Sequence, residues 1–441
     1  MISRFAYRTL STMLAVSMLA AVALALPHPA AAVPAISSLA PERVVFGRVV
    51  TVSGIVAPAL PGEQIQLEQR IQGTWKAVGE VAVSDEAGAW ASHFKPLAPG
   101  PVRATQLTGE LGSSPETAIQ LVPKVLIGRH TSRGPVYPFL GTGVRWRIAP
   151  ASYPNGRVSV KLSIDGRSVG KVTARIRNGV VTTKLPTRGV GRFRAQLVLP
   201  GRGGFAARTS RSVSFVVRGE RVGPGSNATW NRSLRAALRF RGVHVPTGRS
   251  FDSRMGDSVI AFHKAYGRSR TSTFEASDWK HLTRSAVKVK YRGRGTHIEI
   301  DKRRQILMQV RNGKPTMIVH VSTGSTGNTP AGRHSVLWKG EWVPSLYGGL
   351  LYKSMAIRGA YAIHGYPSVP TSPASHGCIR VPMWIAATLY SRSPVGMPVY
   401  IYEGPGAIRP SLGRRSRDLP ELTGVSPQRW ADTRGPVTAM S

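Results

Sequence analysis

The sequence has a single cysteine, Cys378, in 441 residues, and it is poor in acidic side chains. One cysteine cannot form an intramolecular disulfide, so stability must come from packed cores rather than from cross-links. Only 21 Asp and Glu stand against 60 Lys and Arg, which gives a formal charge of +39. A chain with this excess of cations is attracted to polyanions. A length of 441 residues predicts three or four domains.

Long apolar runs are also scarce, and the one that exists lies near the N-terminus. Arg4 and Arg8 precede an apolar run from Met13 to Leu26, and small alanines follow at 30–32. The run is shorter than the roughly 20 residues of a membrane span. We therefore expect residues 1–32 to be a secretory signal peptide, with an uncleaved membrane anchor as the alternative. No cysteine stands directly after the run, which excludes a lipid-modified N-terminal cysteine there.

The expected location restricts the partners of the positive charge. A pI near 11.5 commonly indicates nucleic-acid binding, but an exported protein does not meet a genome. We therefore expect anionic cell-wall polymers as partners, no nucleic acid, and a protein in the cell wall or outside the cell. The alternative is a solvated basic surface without a specific partner. Composition carries no signal of an oligomeric state.

Two β-rich stretches follow the expected signal peptide. In residues 33–122, short strands with turn residues between them recur at regular spacing, and Gln64–Ile71 alternates polar and apolar positions. This pattern predicts an immunoglobulin-like β-sandwich. Residues 123–218 predict a second module of this kind, with Asp165-Gly166 and Asn178-Gly179 as hairpin turns. Neither module contains a catalytic cluster, so we expect spacers or binding platforms.

Residues 226–285 have helical rather than strand periodicity. The stretch contains L-R-A-A-L from Leu234, which places Leu234, Ala237, Leu238 and Phe240 near one face, and later S-V-I-A-F-H-K and W-K-H-L. These segments resemble the small three-helix peptidoglycan-binding module, with His263 in place of the usual glutamine. The alternative is a helical packing domain that binds nothing, because most of the matching positions are core positions.

The chemistry-bearing residues are concentrated between Tyr361 and Pro382. This stretch holds Cys378, with His364 and His376 on its N-terminal side. A thiol becomes a good nucleophile as the thiolate, and a neighbouring imidazole can take its proton. Several prolines between the histidines exclude a helix there. Apolar residues at helical spacing after Pro382 predict a helix, and we expect Cys378 to lie just before its start, where the helix dipole would favour the thiolate.

The run I-H-G, then S-H-G-C-I-R, resembles the signature of the L,D-transpeptidase (YkuD-type) catalytic domain. The matching positions are His364 and the residues Ser375, His376, Gly377, Cys378, Ile379 and Arg380. Upstream, Ser322-Thr323-Gly324 and Thr329-Pro330-Ala331-Gly332 resemble the family's substrate-side strand and turn. The resemblance covers residues 295–403 and implies a mostly β domain with one short helix. We expect the remainder, residues 404–441, to be a disordered tail.

The resemblance implies a cysteine-dependent peptidoglycan L,D-transpeptidase that joins stem peptides by 3→3 cross-links. In this role Cys378 is the nucleophile and His364 the proton donor and acceptor. Backbone N–H groups near Gly377 and Cys378 would stabilise the oxyanion. His376 would orient the loop or share the role of base, while Ser375 and Arg380 would contact the substrate.

No metal or other cofactor is expected, since the histidines lack acidic or cysteine partners at ligand spacing. Two other functions stay open. With water as acceptor, the same acyl-enzyme would make the protein an L,D-carboxypeptidase. With a dispensable Cys378, the helical module and the charge would make it a wall-binding scaffold.

Overall fold

The computed structural model describes residues 33–40, 42–108, 112–131, 134–283 and 286–403. The chain forms two compact units, unit 1 (Met1–Arg218) and unit 2 (Gly219–Ser441). The expected signal peptide at 1–32 and the expected tail at 404–441 lie outside the described residues.

Unit 1 is built from strands that form three sheets. In order along the chain they are β1 (Val33–Ala40), β2 (Arg43–Val45), β3 (Val50–Ala57), β4 (Gln64–Ile71), β5 (Thr74–Val83), β6 (Ala89–Phe94), β7 (Gly100–Gln106), β8 (Thr117–Val122), β9 (Lys124–His130), β10 (Thr142–Ala149), β11 (Gly156–Ile164), β12 (Arg167–Arg177), β13 (Val180–Leu185), β14 (Gly191–Leu199), β15 (Arg208–Thr209) and β16 (Val213–Val217). One sheet has the order β1-β3-β6 and a second has the order β2-β8-β7-β4-β5. The third has the order β15-β14-β11-β12-β13-β10-β9, with β16 also paired to β14.

The apolar side chains of unit 1 form one continuous core. Trp90 from the first sheet and Trp146 from the third are both buried in it. Ala206 N–H donates to the carbonyl of Leu121 at 2.9 Å, which joins the stretch 33–122 to the stretch 123–218. The immunoglobulin-like character of each stretch stays a prediction.

The hairpins form where the sequence predicts them. At Asp165-Gly166 and Asn178-Gly179, as at Asn312-Gly313 in unit 2, both turn residues have positive φ. This backbone suits two-residue hairpin turns, and Asn, Asp and Gly adopt it at the lowest cost. These turns connect β11 to β12 and β12 to β13, whose registers continue directly from them.

Unit 2 begins with a helical region, residues 226–283. Its elements are α1 (Ala228–Phe240), α2 (Ser253–Ala265) and a 3₁₀-helix (Ala276–Thr283). The side chains of Asn227 and Asp252 accept backbone N–H groups and cap α1 and α2. Phe240 does not share the buried face that we expected, since it is 48% exposed at the end of α1.

The catalytic-domain candidate contains two sheets and one helix. Its elements are β17 (Thr296–Asp301), β18 (Ile306–Arg311), β19 (Lys314–His320), β20 (Gly332–Ser335), β21 (Trp338–Pro344), β22 (Leu350–Arg358), β23 (Tyr361–Tyr366), β24 (Ile379–Pro382), α3 (Met383–Ser391) and β25 (Pro398–Tyr402). The sheet orders are β19-β18-β17-β25-β20 and β21-β22-β23-β24. Apolar side chains of both sheets and α3 share one core. The domain is therefore mostly β, with one short helix.

The helical region packs against the catalytic-domain candidate within unit 2. Trp384 Nε1 at the start of α3 donates to Asp257 of α2 at 2.8 Å. Lys264 Nζ, also on α2, donates to the carbonyl of Val321 at 2.9 Å. Peptidoglycan binding by the helical region stays a prediction. No helix in the described part of the chain is long and apolar enough to cross a membrane.

Candidate active site

A parallel strand pair holds the candidate residues. β23 and β24 pair in parallel, with Ile363 opposite Ile379 and His364 opposite Arg380. Side chains alternate between the two faces of a sheet. The isoleucines therefore lie in the core, where both are fully buried. His364 and Arg380 lie on the other face, and Cys378 precedes Arg380 by two positions, so the sheet brings all three toward one surface.

His364 is oriented by the residue that follows it. Its Nδ1 donates to the carbonyl of Gly365 at 3.0 Å. Because a carbonyl oxygen can only accept, Nδ1 carries the proton and Nε2 keeps a lone pair. The side chain is only 2% exposed. Burial lowers the pKa of His364, the bond to Gly365 opposes this effect and the charge of Arg380 adds to it. The ring is therefore a neutral base.

Cys378 is a protonated thiol at rest. Its side chain is partly exposed, and Sγ donates to the carbonyl of Ala360 at 3.6 Å. Burial raises the pKa of Cys378, while a backbone hydrogen bond from Ala362 and the charge of Arg380 oppose the rise. No hydrogen bond joins Sγ to His364 among the described residues, so the proton is not transferred in advance.

The expectation that a helix dipole favours the thiolate of Cys378 is wrong. Cys378 comes before β24, and α3 begins only at Met383. The residues after Cys378 form a strand because they pair with β23. Met383 comes five residues after Cys378, a span of about 16 Å in extended chain, whereas the dipole acts mainly within the first turn.

Hydrogen bonds within the proline-rich loop, residues 367–378, shape the approach to Cys378. Ser375 Oγ donates to the carbonyl of Cys378 at 2.6 Å and accepts Gly377 N–H at 3.0 Å. Gly377 has φ +130°, and a Cβ there would lie 2.4 Å from Tyr361 Cε1. The turn therefore requires glycine. Ser375, which is 2% exposed, holds the loop in shape.

One of the two expected oxyanion donors is already engaged. The N–H of Gly377 is bonded to Ser375 Oγ, so it cannot also serve a substrate oxygen while that bond lasts. The N–H of Cys378 has no hydrogen-bond partner in the described part of the chain and is free to donate. The sequence could not reveal this, because the engagement depends on the folded turn.

Neighbouring side chains support the loop from the segment before β20. Asn328 Nδ2 donates to the carbonyl of His376 at 2.8 Å, and Thr329 Oγ1 donates to that of Gly377 at 2.7 Å. Thr329 lies in a segment that the sequence resemblance had singled out, whereas Asn328 was missed. Asn328 has no motif of its own, and only the fold reveals its contact across 48 positions.

His376 and Arg380 contact aromatic rings. The ring of His376 stacks on Tyr347, with centroids 4.1 Å apart and planes at 13°. The guanidinium of Arg380 lies 4.2 Å from the ring centroid of Tyr366. Among the described residues Arg380 has no acidic partner, so its charge is available to a carboxylate ligand. No cluster of three or more His, Cys, Asp and Glu that could hold a metal occurs in the described ranges.

Residues 295–401 match the family model YkuD, described as the L,D-transpeptidase catalytic domain. This part of the chain is an L,D-transpeptidase catalytic domain, as the motif around Cys378 predicted. The match ends within β25 and includes both sheets and α3. It does not extend to unit 1 or to the helical region.

Solved structures similar to the chain include several L,D-transpeptidases. One from Xylanimonas cellulosilytica is 26% identical, with 42% of this chain and 98% of that chain covered and a TM-score of 0.39. One from Stackebrandtia nassauensis is 20% identical, with 44% and 99% covered and a TM-score of 0.29. The catalytic domain of the E. faecium enzyme is 24% identical, with 25% and 100% covered and a TM-score of 0.23. No curated protein matches the chain. The assignment of the domain rests on the family model.

Proposed function

We propose that the protein is an exported peptidoglycan L,D-transpeptidase that forms 3→3 cross-links through an acyl-enzyme on Cys378. The observation that carries this proposal is the tautomer of His364. Its Nδ1 proton is fixed on the Gly365 carbonyl, so Nε2 is a base on the face that also carries Cys378. The match of residues 295–401 to the L,D-transpeptidase catalytic domain supports the same conclusion.

In the first step the donor stem peptide loses its terminal residue. Nε2 of His364 takes the proton from Sγ as the sulfur attacks the carbonyl between the diamino acid at position three and the terminal D-Ala. The N–H of Cys378 donates to the oxygen that becomes negative. The tetrahedral intermediate then breaks its C–N bond, and His364 returns the proton to the departing amine. A thioester on Cys378 and free D-Ala result.

In the second step an amine from a neighbouring stem attacks the thioester. His364 takes a proton from this amine, the C–S bond breaks, and the imidazolium gives the proton to the departing sulfur, which restores the thiol of Cys378. Arg380 has no acidic partner among the described residues and would hold a stem carboxylate by charge-assisted hydrogen bonds. Water as the acceptor would turn the same acyl-enzyme into an L,D-carboxypeptidase.

The formal charge of +39 supports a location in the cell wall. A basic protein outside the cell is retained by anionic wall polymers through long-range attraction. The β modules would act as spacers that hold the catalytic domain away from the point of export. Peptidoglycan binding by residues 226–285 would add a second attachment.

The test is incubation of the purified protein with disaccharide-tetrapeptides, followed by mass analysis of the products. We expect dimers that have lost one D-Ala, and none with Cys378→Ala. Loss of D-Ala without dimers would indicate trimming with water as acceptor. If neither product forms, and a carbapenem leaves the mass of the folded protein unchanged, the transpeptidase proposal is wrong and a wall-binding scaffold is favoured.

A further inference from the structure

A basic cleft lies within unit 2, away from Cys378. The end of α2 and the turn between β17 and β18 enclose a half-open space of about 460 Å³. Its lining consists of one glycine and five cationic residues, namely Lys264, Gly267, Arg268, Arg270, Arg303 and Arg304. No acidic side chain belongs to the lining. We call this space the basic cleft.

Nearby acids neutralise only part of this charge. Arg268 is paired with Asp278 at 3.2 Å, and Arg304 lies 3.8 Å from Asp301. Lys264, Arg270 and Arg303 have no ion pair in the described part of the chain. The guanidinium charges of Arg270 and Arg303 are therefore uncompensated by an ion pair and border one cavity together with Lys264, an arrangement that is costly without a bound anion.

Lys264 is the one buried cation in the lining of the basic cleft. Its side chain is 1% exposed, and burial, then the charge of Arg270, lower the pKa of Lys264 to about 7, while Asp257 opposes the effect. The other titratable group beside the amine is His320, whose Nδ1 lies 3.5 Å from Nζ. An anion in the basic cleft would reverse the repulsion and favour the charged amine.

We propose that the basic cleft binds the phosphodiester groups of an anionic polymer. Arginine presents a planar fork of N–H donors that matches the oxygens of a phosphate in pairs. Arg303, whose guanidinium has no ion pair or side-chain hydrogen bond among the described residues, offers this geometry from the β17–β18 turn. The N–H groups of Arg270 that do not bond to carbonyls add donors from the α2 end. The half-open shape of the cleft admits one phosphate of a chain that continues into solvent on both sides.

Arg270 connects the basic cleft to the loop that carries Cys378. Its Nη1 donates to the carbonyl of Thr371 at 2.6 Å and its Nη2 to that of Arg303 at 3.1 Å. Thr371 belongs to the loop 367–378, and the next carbonyl, that of Ser372, accepts from Ser322 Oγ at 2.7 Å. A polymer held in the basic cleft is therefore anchored directly behind the catalytic loop.

Binding is measured by titrating the full chain, in a Cys378→Ala background, with poly(glycerol phosphate) at low salt. The site variants are Arg270→Gln/Arg303→Gln and the single change Arg303→Glu, which alters an exposed side chain and carries little risk to folding. The matched control is Arg292→Gln/Arg294→Gln, which removes two exposed arginines of unit 2 that have no ion pair among the described residues. We expect the site variants to bind about tenfold more weakly, equivalent to about 1.4 kcal/mol, and the control to change by less than about twofold.

A second measurement detects the protons that the protein takes up when the polymer binds. At pH 8 the unmodified chain should take up protons on binding, since the bound phosphate raises the pKa of Lys264 from about 7, and Lys264→Met should abolish this uptake. Titration in buffers of different ionisation enthalpy detects it. Equal weakening in the site variants and the control would show that binding follows net charge alone, and the proposal would be overturned.

Two further probes identify the anionic group that the basic cleft binds and show whether it belongs to a soluble polymer or to a lipid. Poly-glutamate that binds as tightly as poly(glycerol phosphate), with the same dependence on Arg303, would overturn the assignment to phosphate. Vesicles containing phosphatidylglycerol, compared with neutral vesicles, separate a lipid headgroup from a soluble polymer. Binding to these vesicles that depends on Arg303 supports the phosphodiester site and assigns it to a membrane source. Binding to the polymer alone assigns it to the wall.

Discussion

Units 1 and 2 bury different kinds of polar side chain. In the described part of unit 1 no Asp, Glu, Lys, Arg or His side chain is buried, and its buried polar residues are Ser, Thr and Gln. Unit 2 buries many ionisable side chains, namely Arg235, His263, Lys264, Asp278, His281, His297, Glu299, Asp301, Lys302, His320 and His364. Burying an ionisable group costs free energy unless it is paired, and such groups concentrate at functional sites. The contrast agrees with the match of residues 295–401 in unit 2 to a catalytic domain, and unit 1 shows no comparable concentration of buried ionisable groups among its described residues.

The largest expected effect comes from removing the thiol. Cys378→Ala should lower the rate of acyl-enzyme formation by about 10⁴-fold or more, since nothing else in the site can form the thioester. Intact-protein mass after exposure to a carbapenem measures the adduct. The melting temperature should stay within a few degrees, because the lost side chain is small and partly exposed. An adduct on the variant would place the reactive group elsewhere.

The next-largest effect is expected from replacing His364, the proposed general base. His364→Gln should slow acylation by about 10²- to 10⁴-fold, the usual contribution of a positioned general base. The matched variant in unit 1 is His130→Gln, whose ring bonds to Thr142 on the neighbouring strand, and it should leave the rate unchanged. Because burial lowers the pKa of His364, the activity of the unmodified enzyme should persist below pH 6.5, where an ordinary histidine is half protonated. Loss of activity centred above pH 6.5 would contradict this role.

A smaller effect is expected from replacing Arg270, which contacts the loop 367–378. Arg270→Gln removes two hydrogen bonds to carbonyls and should slow acylation by about threefold to tenfold, through looser positioning of residues 367–378. Arg202 in unit 1 makes a similar pair of bonds, to the carbonyls of Asn155 and Arg157. Arg202→Gln should therefore change stability by a similar amount without changing the rate. Equal rates for both variants would show that the contact of Arg270 is structural only.

The smallest effect concerns acid stability. Burial lowers the pKa of His244 to about 4, and it also lowers the pKa of His320 and His364. Histidines of the unfolded chain take up protons near pH 6.5, whereas these three buried histidines are protonated only at lower pH. The unfolded state therefore binds more protons in this window, and stability should fall as the pH drops from 7 to 5.

Hydrogen exchange on the full chain, corrected for the pH dependence of the intrinsic rates, can separate the two units. Protection should fall in unit 2 and hold in unit 1, which buries no histidine among its described residues. A matching loss of protection in unit 1 would remove the contrast between the units on which this expectation depends.

Local signals predicted the fold well where a short sequence determines the backbone. The turns at Asp165-Gly166 and Asn178-Gly179 have the positive φ angles that these residues favour. The catalytic-domain assignment was confirmed by the match over residues 295–401, because its motif is short and specific. The immunoglobulin-like and peptidoglycan-binding assignments stay predictions, since alternating strands and apolar helix faces occur in many folds.

Tertiary contacts decided what the sequence could not. The segment after Cys378 has apolar residues that suit a helix or a strand, and pairing with β23 made it a strand. The N–H of Gly377 is an expected oxyanion donor, but in the folded turn it donates to Ser375 Oγ. The basic cleft joins Arg270 to Arg303, which are 33 positions apart and share no motif. Such sites become visible only when the chain is folded.

The raised pKa of Cys378 has a consequence for the rate at which its sulfur is oxidised. Peroxides oxidise the thiolate much faster than the thiol, and over-oxidised sulfur is not recovered. Burial keeps the sulfur protonated, so it stays in its slow-reacting form until a substrate brings His364 into the reaction. For an exported protein, as proposed above, this protection would matter because the chain has no second cysteine that could form a reducible disulfide with Cys378.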